Sequence, residues 1–242
     1  MARGTWDYGV YQTKRVGATL ADMADLAVRM GSIVEYDRRG DIVSLDDFEN
    51  TIIKWVGFIV GAGAIALDST TAKSGSQSLK ITTGVLGGNR TIIRKSLITL
   101  GTLKVGAEIS LCSLQAGCDF YLAILYWDGT IGRRANIWYD HSLTTFFVED
   151  TVAGNWTFVA NVGAMRAGEH LFYPMKLVAD FTTNLYARFL FGGAEHPIDT
   201  IVIPPIVLAG APYFRADIEV RNILAASEDA WVDDFIFTQN EP

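Results

Sequence analysis

Acid, base and metal chemistry in this chain would have to come from a small set of side chains. Carboxylates collect in two places, Asp46-Asp47-Phe48-Glu49 and Trp231-Val232-Asp233-Asp234. Glycoside hydrolysis needs two carboxyl groups facing each other across a cleft. Strand pairing can bring Asp46, Asp47, Glu49, Asp233 and Asp234 together, but nothing in their spacing places a cleft between them. The histidines His141, His170 and His196 lack metal-ligand spacing and have no Gly-flanked nucleophile to serve. There is no phosphate-binding loop and no dinucleotide fingerprint, so the expectation is a noncatalytic protein. Cys112 and Cys118 have no neighbouring Cys or His to complete a zinc set. They read as two buried thiols on adjacent β-segments in preference to a disulfide.

Rings are the other candidate chemistry. Trp127, Trp138 and Tyr139 flank the turns Asp128-Gly129-Thr130 and Gly132-Arg133-Arg134 and could stack on a sugar. Aromatics at alternating positions equally suit a core.

The elements that must position these groups are mostly strands. Short runs at 78–83, 90–97, 104–113, 120–127, 136–140, 145–149, 157–161, 173–180, 185–191, 196–202, 213–222 and 231–238 alternate or run apolar between Gly-rich joints. Their number and brevity predict a two-sheet sandwich. The uncharged stretch 55–67 reads as a core strand and its turn, too short for the roughly 18 to 20 residues that cross a bilayer. One helix is expected, over 19–30, with Leu20, Met23, Ala24, Ala27 and Met30 at helical spacing and Gly31 as its stop. A helix of about eleven residues is marginal alone in water and must dock on something. Residues 32–45 read as a hairpin turning through Asp37-Arg38-Arg39-Gly40.

Composition bounds the class. Half of the 242 residues are apolar, 12% are aromatic and only 19% are charged, which predicts a folded domain with a full core. A net charge of −7 leaves no cationic surplus for phosphates, so no nucleic-acid partner is expected, nor a membrane one. The first sixteen residues have no apolar export segment, which predicts a chain not secreted by the usual route.

The order of an acidic-aromatic opening (Asp46-Asp47-Phe48-Glu49), a Gly-Ser turn running into a strand (Lys73-Ser74-Gly75-Ser76-Gln77-Ser78) and a doubly acidic last strand (Asp233-Asp234) resembles the jelly-roll domains of the carbohydrate-binding-module and galactose-binding-like type. The likeness covers roughly residues 46–238. The stretch from His170 to Phe189 is similar to the strand-turn-strand of concanavalin-like and laminin-G-like sandwiches. The resemblance implies an all-β jelly roll of two antiparallel sheets. It also implies a structural Ca2+ held by Glu49, Ser76 and Asp234, with Asp47 in reserve, and core or strand-start roles for Trp55, Trp156 and Trp231. Calcium takes six to eight oxygens at a flexible site, which two carboxylates plus carbonyls can supply.

Resemblance and exclusion together lead to an expectation of two parts. Residues 1–45 form an N-terminal arm, helix and hairpin, and residues 46–242 form the jelly roll. Trp6, Tyr8 and Tyr11 alternate with small or polar residues as an added strand would, and with Leu20, Met23 and Met30 they form the expected assembly contacts. The expected function is a noncatalytic structural virion protein, a phage-like capsid decoration, turret or tail component. It would be made in the host cytoplasm and would act as a homo-oligomer beside other capsid or tail proteins. The alternative is a carbohydrate-binding module that recognises a glycan.

Overall fold

The computed structural model describes residues 37, 39–97, 100–113, 117–152, 154–165, 171–207 and 210–242. Two antiparallel eight-stranded sheets enclose one hydrophobic core. Sheet A runs β13 (Ala194–Pro197), β12 (Leu185–Phe191), β11 (Tyr173–Asp180), β6 (Lys104–Ser113), β16 (Asp229–Gln239), β4 (Ser78–Thr82) and β3 (Ala64–Asp68), with β1 (Asp41–Asp46) also paired to β16. Sheet B runs β10 (Asn155–Asn161), β9 (Thr145–Asp150), β8 (Gly132–Asp140), β7 (Cys118–Trp127), β15 (Tyr213–Asn222), β5 (Arg90–Leu97) and β2 (Val56–Val60), with the short β14 (Pro205–Ile206) beside β8. This is an all-β sandwich of two antiparallel sheets, an arrangement consistent with a jelly roll.

Period-two patterning explains why these strands lie where they do. In β15 every second residue, Phe214, Ala216, Ile218, Val220 and Asn222, is buried, and the residues between them are half-exposed. Because side chains alternate across a sheet, Arg215, Asp217, Glu219 and Arg221 all emerge on the far side. In β11, Met175, Leu177 and Ala179 enter the core, leaving Lys176 and Val178 for the outer face of sheet A. The β11–β12 hairpin expected from 173–189 forms as an antiparallel pair, with Asn184 in the left-handed region at its turn.

Several expectations need correction. Residues 55–67 do not form a core strand: they form β2 and β3, the edge strands of the two sheets, and Val56, Phe58, Ile59 and Val60 are exposed. The run was uncharged, but each strand has a neighbour on one side alone. The stretch 196–202 is a strand only at its start, since β13 ends at Pro197, where a prolyl residue can no longer donate to the ladder. The expected 45/46 boundary falls inside β1, which belongs to sheet A through its pairing with β16. The expected helix and its assembly residues, Trp6, Tyr8, Tyr11, Leu20, Met23 and Met30, lie outside the described residues, and among the described residues there is no helix. Cys112 and Cys118 are free, buried thiols as expected, and burial pushes both up, Cys112 to about 11.

Candidate functional site

The outer face of sheet B carries a group of packed rings bordered by ion pairs. Cross-strand pairs put Phe158, Phe147, Trp138 and Tyr121 in one row over β10, β9, β8 and β7, continued by Glu219 on β15 and Ile92 on β5. Trp138 stacks on Tyr121 with ring centroids 5.8 Å apart and planes 1° from parallel. Trp156 meets Trp138 edge-on at 5.2 Å, and Phe147 tilts against it at 5.4 Å. Phe158 at the end of the row is 61% exposed. The Arg221 guanidinium caps the Tyr121 ring at 4.6 Å. Rings packed this way on the solvent side of a sheet are held at fixed orientations before any ligand arrives.

The adjoining rows are polar. Arg134 grips Glu149 bidentately, with Nε donating to Oε2 at 2.7 Å and Nη2 to Oε1. Glu149 also accepts from the Gly154 amide at 2.8 Å. Arg215 donates to both oxygens of Asp217, at 2.7 and 2.9 Å. Burial, only partly offset by the Arg215 charge, pushes the Asp217 carboxyl up. Arg221 donates from Nε and Nη2 to Oε1 of Glu219. Such a surface offers aromatic faces for the apolar side of a pyranose ring and forked donors and acceptors for its hydroxyls.

No protein-family profile matches this chain, and no curated protein matches it in sequence. Solved structures do share its fold. The endo-β-1,4-glucuronan lyase of the fungus Trichoderma reesei superposes with a TM-score of 0.59 at 10% identity, over 82% of this chain and 96% of that one. A Bacillus subtilis protein of unknown function with a galectin-like fold gives 0.51 at 12%, over 83% and 97%. The Bacillus licheniformis β-glucanase gives 0.50 at 11%, over 81% and 98%. At these identities the likeness is one of fold. Nothing in it supports a virion origin.

Of the three rings expected to meet a sugar, Trp138 is on this outer face. Tyr139 points the other way into the core, fully buried; its hydroxyl donates to Gly163 O at 3.1 Å and accepts from the Met165 amide. Trp127 is buried too, with Nε1 donating to Gly210 O at 2.8 Å. The period of two separates 138 from 139, so both could not have faced a ligand. Trp156, expected at a core or strand-start position, lies at the start of β10 and is half-exposed on the platform, whereas Trp55 and Trp231 are buried. Sequence reading missed Tyr121, Phe147, Trp156 and Phe158. The strict alternation Arg215, Asp217, Glu219, Arg221 was a legible sign of a polar outer face.

The bracketing carboxylates gather around the turn at 73–77. Glu49 accepts from the Ser76 amide (2.8 Å), the Ser76 hydroxyl (2.6 Å) and the Gln77 amide (3.0 Å), and these bonds hold its pKa below the usual range. Asp234 accepts from the Ser74 hydroxyl at 2.8 Å, and the Lys73 ammonium lies 3.0 Å from its Oδ2. Asp47 accepts from the Glu49 amide. Phe48 and Asp234 both adopt positive φ, 54° each, a strained conformation for side chains other than glycine. Gly75 takes φ 65°, a conformation strained for other residues, and a Cβ there would push the Glu49 carboxylate off the turn. Among the described residues no three His, Cys, Asp or Glu side chains could hold a metal by themselves. The cation that stands against Asp234 is the Lys73 ammonium.

The remaining carboxylates proposed for hydrolysis are engaged. Asp46 accepts from Trp55 Nε1 (3.1 Å) and pairs with Lys95 (2.8 Å). Asp233 accepts the Lys73, Ser74 and Asp234 amides, and burial beside the Asp234 charge raises it to about 7. These groups do not face one another across the ringed surface. The ring of His141 packs on Tyr139 and that of His196 on Phe189, and His170 lies outside the described residues.

Proposed function

We propose that this chain is a noncatalytic glycan-binding module whose ligand lies on the outer face of sheet B. The observation that carries this reading is the Trp138 platform, stacked on Tyr121, edged by Trp156 and bordered by the Arg134–Glu149 and Arg215–Asp217 pairs. Two of the structures that share the fold are named as enzymes of glycans, which agrees with this reading above a virion role. The test is affinity electrophoresis or calorimetry against a panel of soluble polysaccharides, comparing the parent chain with Trp138→Ala. Retardation by at least one polysaccharide that Trp138→Ala loses, with an unchanged melting temperature, supports the reading. A panel without any ligand overturns it.

One observation favours a second reading, hydrolysis. Asp217 and Glu219 emerge two residues apart on the same face of β15, and burial raises Asp217, as a proton donor requires. Against it, Arg215 engages both Asp217 oxygens and Arg221 holds Glu219 through Oε1, so each carboxylate is already paired with a guanidinium. Release of reducing ends from a bound polysaccharide, abolished by Glu219→Gln, would establish catalysis. We also propose that calcium, if bound, is structural and held at Glu49, Asp234 and the 73–77 turn, remote from the ringed face in its chemistry.

A further inference from the structure

The ligand class is written in one arginine. Asp217 has two oxygens, and the forked donors of Arg215 occupy both. Arg94 lies directly opposite Asp217 across the β5–β15 ladder and pairs with it only at long range: its buried Nε is 3.7 Å from Asp217 Oδ2 and makes no hydrogen bond, while the side chain as a whole is partly exposed. Its guanidinium is held over the Phe58 ring at 4.8 Å, so its place is fixed without an anion. Around this end of the face three guanidinium groups, Arg94, Arg134 and Arg215, face two carboxylates, Asp217 and Glu149. The other end is balanced differently: Glu219 is held by Arg221 with Arg90 nearby at 3.8 Å, and Asp119 and Asp140 are tied to the 141–143 turn. Among the described residues of this face, Arg94 is therefore the guanidinium whose carboxylate is already forked to another arginine and whose own ion pair is long, in a chain whose net charge is −7.

We infer that the ligand is an acidic polysaccharide and that Arg94 takes a sugar carboxylate. This rests on the glycan-binding reading above and deepens it. A planar guanidinium matches a carboxylate with two parallel hydrogen bonds, and charge-assisted bonds are roughly twice as strong as neutral ones. A neutral sugar would leave Arg94 with only its long pairing to Asp217. The Arg94 and Trp138 columns are separated by β15 and β7, three inter-strand spacings or roughly 14 Å, so a ligand touching both is a chain of sugars, not a single ring.

The experiment compares polygalacturonate with the same polymer after carboxyl reduction, by calorimetry on the full chain. The expected result is at least tenfold tighter binding to the acidic form, weakened by added salt. Arg94→Gln should erase that preference and keep the binding of the reduced polymer, and Arg94→Lys should restore it only in part, because an ammonium lacks the fork. Trp138→Ala should weaken both polymers. Equal affinity for the two forms, or a preference that survives Arg94→Gln, overturns the inference and leaves the glycan reading intact. Failure to bind either form, when a neutral glycan of the panel does bind and Trp138→Ala removes that binding, also overturns it alone. Failure of the whole panel removes both.

Discussion

Lys176 Nζ lies 2.8 Å from Glu241 Oε1, and both side chains are entirely shut off from solvent. The same ammonium is 2.9 Å from Asp37 Oδ2 and donates to Arg39 O at 2.9 Å, while Arg188 reaches the other Glu241 oxygen. Burial works to raise Asp37, but the Lys176 charge and the hydrogen bonds of Arg39 and Lys176 outweigh it and hold the carboxyl low. Two segments far apart in sequence, one just before β1 and one just after β16, are thus tied across the outer face of sheet A.

Removing one partner of such a pair strands a buried charge, which typically costs about 3–5 kcal/mol. Glu241→Ala should therefore lower stability by about that much in urea unfolding. Lys176→Met combined with Glu241→Leu should recover most of it, since a packed apolar pair avoids the desolvation penalty. A Glu241→Ala loss below about 0.5 kcal/mol would show that the cluster is open to water in solution.

Glu108, opposite Lys176 on β6, gives this face a pH dependence. Burial raises its carboxyl to about 8, although the Lys176 charge opposes the shift; Asp37 and Glu241 add to it and Lys73 works against it. A carboxyl with a raised folded-state pKa binds more protons folded than unfolded. Its contribution is complete below the unfolded value near 4.5 and is lost as pH rises to about 8, each pH unit of that span being worth about 1.4 kcal/mol at most. Glu108→Gln should flatten this slope, so its stability relative to the parent rises from pH 5 to pH 8. Parallel pH profiles for the two proteins would assign the slope to other groups.

Much of this architecture was legible because strand patterning is local. Runs 90–97, 104–113, 173–180, 185–191 and 213–222 coincide with β5, β6, β11, β12 and β15. What sequence could not supply is what covers a strand. Val56 to Val60 and Phe120 to Leu125 look alike as apolar runs. One is an exposed edge, and the other is buried on both faces because Trp138, Arg221 and their neighbours roof its outer side. The same ignorance of neighbours separated Trp138 from Tyr139, adjacent in sequence and opposite in role. Glu49 and Asp234 each bond the 73–77 turn, but which of its groups they bond depends on loop geometry that no spacing reveals.

Trp156 and Phe158 extend the platform onto β10, an edge strand of sheet B, Phe158 in the Trp138 row and Trp156 in the row beside it, where a ligand on this face would meet them. Trp156→Ala should weaken polysaccharide binding by about tenfold, near 1.4 kcal/mol. Tyr139→Phe, changed inside the core, should leave affinity within twofold and lower stability by about 1 kcal/mol through the lost Gly163 and Met165 hydrogen bonds. Affinity that falls for Tyr139→Phe and holds for Trp156→Ala would place the ligand elsewhere.

Calcium at the 73–77 turn should compete with Lys73. The ammonium is 3.0 Å from Asp234 Oδ2, and a divalent ion beside Glu49 and Asp234 must displace it, which its partly exposed side chain permits. An ion bound only by the folded chain adds stability by mass action, about 2.7 kcal/mol at a hundredfold excess over its dissociation constant. Chelation of a calcium-loaded sample should therefore lower the melting temperature, and readdition should restore it. Lys73→Gln should tighten calcium binding, because the competing charge is gone and Asp234 is left to find another cation. Glu49→Gln should weaken it, because calcium prefers a full carboxylate to an amide oxygen. A melting temperature unmoved by chelator or by added calcium, in both the parent and Lys73→Gln, would show that Lys73 alone neutralises Asp234 and that the strained backbone at Phe48 and Asp234 serves the turn itself.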